Sequence, residues 1–345
     1  MAFNLFLSCG GGGSSSDDNA SEKQSLEVIS PEEVGWSSEA LAAVEEVAIQ
    51  GGYAAVMALY DGKIFFQWGN VSKNYQCHSI RKPFLSALYG IYVQRGDIDL
   101  DATLDELNID DIPPSLTDEE KQATVRHLIK SRSGVYHEAA AEAPEMADAR
   151  PARGSHPPDT FYYYNNWDFN VAGTIFMQET GEDIFEAFKW EIADVIGMQD
   201  FSLNHCGYSY ELEKSEHPAY SFRMSARDMA RFGVLYLNNG KWQDKEIIPS
   251  EWIAESTTMY SILDSTYEAG YGYMWMIAPE ESPAAELFVY PCYFHSGIGV
   301  HLLIVMPDLQ LVMVIRLDTD GDWVDPGDEL QMQLISMIIN ARIAD

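Results

Sequence analysis

Basic residues are scarce: 21 Lys and Arg stand against 54 Asp and Glu in 345 residues, a formal charge of −33. Such a surface repels a phosphate backbone, which excludes nucleic-acid binding as a function class. Long apolar runs are missing too, and none approaches the ~20 residues that a membrane-spanning helix needs. Cysteine is sparse, with four in the chain. Cys77, Cys206 and Cys292 show neither C-x-x-C nor Cys/His spacing suited to zinc, so no metal is expected. Buried free thiols are the expectation, with a Cys206–Cys292 pair as the alternative in an oxidising compartment. The G-x-S-x-G of the α/β-hydrolase nucleophile turn does not occur, nor do repeated βα units, which excludes that class of hydrolase.

What is present describes a folded protein: 46% hydrophobic and 12% aromatic residues, enough for one large domain or two interleaved lobes. The acid excess suits a soluble protein in salty surroundings, where ions screen the self-repulsion. Residues 1–30 read as a signal remnant and flexible linker. "MAFNLFLSCGGGGSSSDDNA" ends a short apolar piece at Cys9 and continues in Gly, Ser and Asp. That pattern resembles the end of a bacterial lipoprotein signal, with Cys9 lipidated as a membrane tether. It implies a periplasmic or cell-envelope location; a disordered cytoplasmic tail is the competing reading.

A helix is predicted over 38–50, with Ser at its cap and Gly-Gly at its end. "YAAVMALYDGKIFFQWG" reads as two antiparallel strands joined at Asp61-Gly62, a strong hairpin signal. A helix over 79–95 follows, and residues 97–265 carry mostly helical patterns broken by Pro/Asp loops. From Tyr271 the texture returns to strands, "YGYMWMIA", "LFVYPCYFHSG", "VHLLIVMP" and "LQLVMVIRL", before a last helix at about 329–342. The predicted fold is α/β of the α+β kind: an antiparallel sheet flanked by terminal helices (31–78 and 266–345) plus a mainly helical lobe (79–265). A site is expected between the lobes.

Three stretches carry candidate chemistry. In "YQCHSIRKPFLSALYG" the only S-x-x-K of the chain puts Ser79 and Lys82 on one helix face. A serine needs a base within hydrogen-bond reach, and Lys82 serves only if desolvation and neighbouring positive charge lower its pKa. Pro83 fits a helix start, where amides lack internal partners and the Ser79 N–H can face an oxyanion. Taken alone, this is an ordinary cap beside an ordinary charge. "FYYYNNWDFNVAG" offers Tyr163-x-Asn165 or Tyr164-x-Asn166 as phenol and amide, with an aromatic packing cluster as the bland alternative. "FHSGIGVHLLIVMP" sets His295, Ser296 and Gly297 on a strand edge, where glycine permits close backbone approach. Trp167, Tyr271, Tyr273 and Trp275 are candidates for apolar cleft walls, although core packing explains any one of them equally well. "DTDGDWVDPGDE" (318–329) has acids at the first, third, fifth and last positions of a calcium loop, but Trp323 takes the place that needs glycine.

These stretches, in this order, resemble the serine β-lactamase and penicillin-binding-protein superfamily. The nearest branch is the β-lactamase-related one of class C β-lactamases, DD-peptidases, esterases and 6-aminohexanoate-dimer hydrolases. "TVRHLIKSRSGVYH" (124–137) and "SFRMSARDMARFGVLYLNNGKW" (221–242) add to the likeness, which spans about residues 31–342. The resemblance implies Ser79 as the acylated serine, Lys82 as its partner lysine, and Tyr164 with Asn166 as the tyrosine and asparagine. His295-Ser296-Gly297 stands where the family has K-T-G, and Ile298 would supply a second oxyanion amide. It implies a serine hydrolase of small esters or amides that needs no cofactor. β-Lactamase or DD-peptidase activity, or a ligand sensor, are the alternatives. Histidine in place of lysine removes a permanent charge that would attract a carboxylate.

Overall fold

The computed structural model describes residues 25–343; Cys9 and most of the linker lie outside them. Eight strands form one antiparallel sheet. Their spatial order is Lys63–Gly69, Ala55–Tyr60, Leu311–Arg316, His301–Met306, Cys292–Gly297, Met276–Ala278, Ala269–Tyr271 and Ser261–Asp264. The two ends of the chain thus share a sheet, and the register Ala55↔Arg316 through Tyr60↔Leu311 joins them. Asp61 and Gly62 both take positive φ, 47° and 73°, the geometry of the tight hairpin turn that Asp-Gly favours.

The central strands are continuously apolar because both sheet faces are covered, and their period of two sorts the side chains between two cores. Met57, Leu59, Leu303, Val305, Val312 and Val314 join the core beneath the middle of the chain. Val56, Ala58, Leu302, Ile304, Met313 and Ile315 face the other way. There they meet Leu41 and Val44 of helix Ser38–Gln50 and Leu334 and Ile338 of helix Asp328–Asn340. On the first face lies helix Ala226–Leu237. A Cβ on Gly233 would stand 2.6 Å from Val312 Cγ1, so only glycine permits this helix–sheet approach.

Between the sheet halves runs the second lobe, around the helices Arg81–Arg95 and Asn166–Thr180. It is less purely helical than its pattern suggests. Tyr75–Gln76, Ala219–Met224 and Cys206–Ser209 form a small sheet of their own, because short strands flanking a buried helix leave little periodic signal. The large sheet resumes at Ser261 rather than 266. "YGYMWMIA" divides into Ala269–Tyr271 and Met276–Ala278, with Gly272 N–H donating to Trp275 O across the turn. Cys77, Cys206 and Cys292 are all free. Among the described residues no helix is long and apolar enough to cross a membrane.

Candidate active site

Ser79 sits on a single 3-10 turn, His78–Ile80, which runs directly into helix Arg81–Arg95. The chain enters this turn through His78 at φ 46°, a left-handed conformation that a non-glycine residue holds only when its surroundings enforce it. Here they do. Arg316 Nη2 donates to the carbonyls of Tyr75 and Gln76, and Cys77 N–H donates to Phe222 O. His78 Nε2 lies 2.9 Å from Thr319 Oγ1. Strand Cys292–Gly297 closes on the turn: a Cβ on Gly297 would come within 2.9 Å of Cys77 O and 3.4 Å of Ser79 N. Glycine is therefore required at 297.

One helical turn on, Lys82 Nζ lies 3.0 Å from Ser79 Oγ. Lys82 is 1% exposed and has no carboxylate partner among the described residues. Burial first, and the Arg81 charge second, lower its pKa well below that of an ordinary lysine. The rings of Tyr164 and Phe169, at 4.6 and 4.7 Å, favour the charged form. Such contacts are worth about 2 kcal/mol each even when desolvated, against several kcal/mol for burying an unpaired ion. The net effect is a lowered pKa, which makes the amine easier to deprotonate and so better suited to act as a base.

The Tyr164 hydroxyl is buried and makes no hydrogen bond of ordinary length. Burial pushes its pKa up while Ser79 pulls it partly back, so the two hydroxyls stand in long contact. His295 is fully buried. Its Nδ1 lies 2.8 Å from Ser296 O; a carbonyl only accepts, so Nδ1 carries the proton and Nε2 a lone pair. Nε2 has no partner. Desolvation, the largest cause, lowers the imidazole to about 3, so His295 is neutral at ordinary pH.

Ser79, Tyr164, Ser296, Gly297 and Ile298 all line one cleft of about 340 Å³. The amides of Ser79 and Ile298 have no backbone acceptor among the described residues, and Ile298, 53% exposed, sits at the cleft mouth. Asn166 stays outside this group. Its amide turns to Met146 Sδ at 3.4 Å, while Asn165 caps the helix through Trp167 N–H. Trp167, Tyr271, Tyr273 and Trp275 are core residues rather than cleft walls, none more than 2% exposed. Met276, Ile298 and Val300 supply the apolar lining instead.

The 318–329 segment holds no calcium-loop arrangement. Asp318 pairs with Lys73, and Asp320 with Arg223 and Lys73. Sequence reasoning missed Arg316, whose only signal was a lone charge ending an apolar strand. It also missed Asp325 and Asp328, which line the cleft from a loop read only for its cation-binding potential.

No curated protein matches the sequence significantly. Solved structures do, at low identity. One is a Bacillus anthracis protein assigned provisionally as a 6-aminohexanoate-dimer hydrolase (20% identity, TM-score 0.64, 86% of this chain and 80% of that one). A second is an octameric penicillin-binding protein homologue from Pyrococcus abyssi (17%, 0.63, 88% and 77%). A third is a β-lactamase from Mycobacterium bovis (17%, 0.58, 87% and 100%). These likenesses establish the β-lactamase/transpeptidase-like fold. The profile described as Beta-lactamase matches residues 42–335, a span that contains both sheet halves and the lobe carrying Ser79, and by that match the chain belongs to the β-lactamase family, whose members are generally serine hydrolases.

Proposed function

We propose that the protein hydrolyses esters or amides of small substrates through an acyl-enzyme on Ser79. One observation carries this reading: the Ser79 hydroxyl lies 3.0 Å from a buried lysine amine whose pKa burial lowers. Lys82 takes the hydroxyl proton as Ser79 Oγ forms its bond to the substrate carbonyl carbon. The Ser79 and Ile298 amides receive the developing oxyanion. As the carbonyl reforms, the bond to the alcohol or amine breaks and the proton returns to that leaving group, with Tyr164 beside Ser79 to pass it on. Water then adds to the acyl carbon by the same route and releases the acid. Asn166 is given no part in this scheme.

A neutral, buried His295 offers no permanent charge to a substrate carboxylate, which favours esters and simple amides over β-lactams or peptidoglycan stems. A serine-reactive phosphonate should label the protein and fail on Ser79→Ala; labelling that survives the substitution sinks the assignment. Steady turnover of a short-chain nitrophenyl ester supports an enzyme, whereas a burst that ends in a persistent adduct supports a sensor. Cleavage of a chromogenic cephalosporin faster than any ester would reverse the reading of His295.

A further inference from the structure

Ile298 has two faces toward the chemistry. Its N–H is the second amide offered to the oxyanion, so its side chain lies close to whatever groups flank the reacting carbonyl. Gly297 and Gly299 stand on either side of it. Ile298 and Val300 are therefore the only side chains that residues 297–300 bring to the cleft. Met276 joins them from the strand paired with Cys292–Gly297. No Lys or Arg lines the cleft. Apart from the exposed acids Asp325 and Asp328, the charge-free part of the lining next to the Ile298 amide is hydrocarbon and a thioether.

The backbone at Val300 is strained to place its side chain there. Its φ is 51°, in the left-handed region where a β-branched residue is a genuine outlier. Of the described non-glycine residues with positive φ only Val289 and Val300 are β-branched, and only Val300 lines the Ser79 cleft. The turn itself asks for no side chain at this position. Gly297 pairs with His301 across a three-residue connection. Gly299 takes φ 82°, and a Cβ on it would stand 2.7 Å from Thr319 Cγ2. The Val300 carbonyl accepts from Nε2 of the buried Gln331 at 2.6 Å. These contacts use the backbone of residue 300, which glycine or asparagine would supply with less strain. Valine adds only its side chain, which packs partly on the core beneath the terminal helices and partly along the cleft. Strain of this kind clusters at ligand sites, where the surrounding structure holds it in place.

We infer that the ester or amide attacked by Ser79 carries an uncharged hydrocarbon group beside its carbonyl, held against Ile298, Val300 and Met276, with Val300 as a specificity-determining residue. This rests on Ser79 being the nucleophile, and it narrows the substrate class from small acyl compounds to those with an apolar chain. The chain belongs to the acyl part or to the alcohol or amine part, since both flank the carbonyl carbon.

Two ester series test it and separate the two sources. One keeps nitrophenol and lengthens the acyl group from acetate to butyrate. The other keeps acetate and lengthens the alcohol from methyl to propyl, followed by acid release. In at least one series kcat/KM should rise about tenfold over the two added methylenes, about threefold for each one buried. Val300→Gly and Met276→Ala should each cut that step to about threefold or less. Val300→Asn, which keeps bulk but loses apolarity, should do the same. Turnover of the shorter ester should stay within about threefold of wild type. Because asparagine tolerates the left-handed backbone, the Tm of Val300→Asn should hold or rise. A fall in Tm with the step unchanged would make Val300 a packing residue only and overturn the inference. So would the absence of a step in both series, or a step that all three variants leave intact. If no ester is hydrolysed, the hydrolase reading fails separately. Calorimetric binding of the same series to Ser79→Ala, with and without Val300→Asn, then decides the apolar preference by the same ratio.

Discussion

The floor beneath the cleft and the rim around it differ in residue type and in wetness. Beneath the lining, and not part of it, lie three dry basic side chains: Arg81, Lys82 and Arg316 are at most 8% exposed, and none has a carboxylate within ion-pair distance among the described residues. The rim is anionic and wet, formed by the exposed Asp325 and Asp328. On the floor, burial decides protonation. It lowers the Lys82 pKa and leaves Arg316, which stays charged, to grip the backbone carbonyls before Ser79. On the rim, both acids are open to water and have no ion-pair partner among the described residues. Depth in the fold thus separates the basic groups beneath Ser79 from the acids at the cleft mouth.

Breaking the floor should have the largest effect. Ser79→Ala should lower ester turnover by about 10³-fold or more with little change in Tm, measured by steady-state kinetics and thermal melting. Lys82→Ala should cost about 10²- to 10⁴-fold in kcat. The amine must be neutral to accept the Ser79 proton, so wild-type kcat/KM should rise with pH as Lys82 deprotonates. Because burial lowers its pKa, that rising limb should lie well below 10.5 and disappear in the variant.

Arg316 acts through the turn rather than on substrate. Arg316→Met should release the Tyr75 and Gln76 carbonyls and lower kcat about ten- to a hundredfold. KM should move less, and phosphonate labelling of Ser79 should slow in proportion to kcat. Equal losses in kcat and thermal stability, with normal labelling of the folded fraction, would make the role merely structural.

Acid sensitivity comes next. His78 is lowered to about 4 and His295 to about 3 from 6.5, both chiefly by desolvation. Their folded values lie below the unfolded one, so the unfolded chain binds protons first. Their stability contribution is complete above pH 6.5 and lost as pH falls through 4 toward 3. Each contributes a slope of up to ~1.4 kcal/mol per pH unit in that window. The buried Asp168 carboxyl, raised well above its usual range, works in the opposite direction. The readout is therefore the difference in Tm between wild type and His78→Gln, which should narrow as pH falls. The smallest effect belongs to the paired acids outside the cleft: Asp320→Asn should cost less than about 1 kcal/mol in denaturant unfolding, although it breaks contacts to both Arg223 and Lys73.

Features written in local sequence were legible. Helix Ser38–Gln50 has its Ser37 cap, the hairpin turns at Asp61-Gly62, and Ser79 and Lys82 meet because residues three apart on a helical turn share a face. Boundaries were less so: the helix after Ser79 begins at Arg81, since Ser79 occupies a tighter turn of its own. Asn166 was misplaced because Asn165 takes the cap and the following amide turns to Met146, a residue twenty positions away in another helix. The aromatics of 271–275 looked fit for cleft walls, but burial in the core shared by the sheet and the second lobe claimed them, and aromatic patterning reads the same in either role.

By itself the sequence determined the charge sign of the surface, the periodicities that sort strands between two cores, and the serine–lysine spacing. These depend on residue type and on distances of a few positions. Tertiary structure decided which groups share the cleft. Ser79 meets Gly297 only because strands from opposite ends of the chain pair in one sheet, and Asp325 and Asp328 reach the mouth only because the last helix returns to the first. Tertiary structure also decided protonation. Whether Lys82 is a base or an ordinary surface charge depends on its dielectric surroundings, and those are created by side chains that the fold collects from the whole chain.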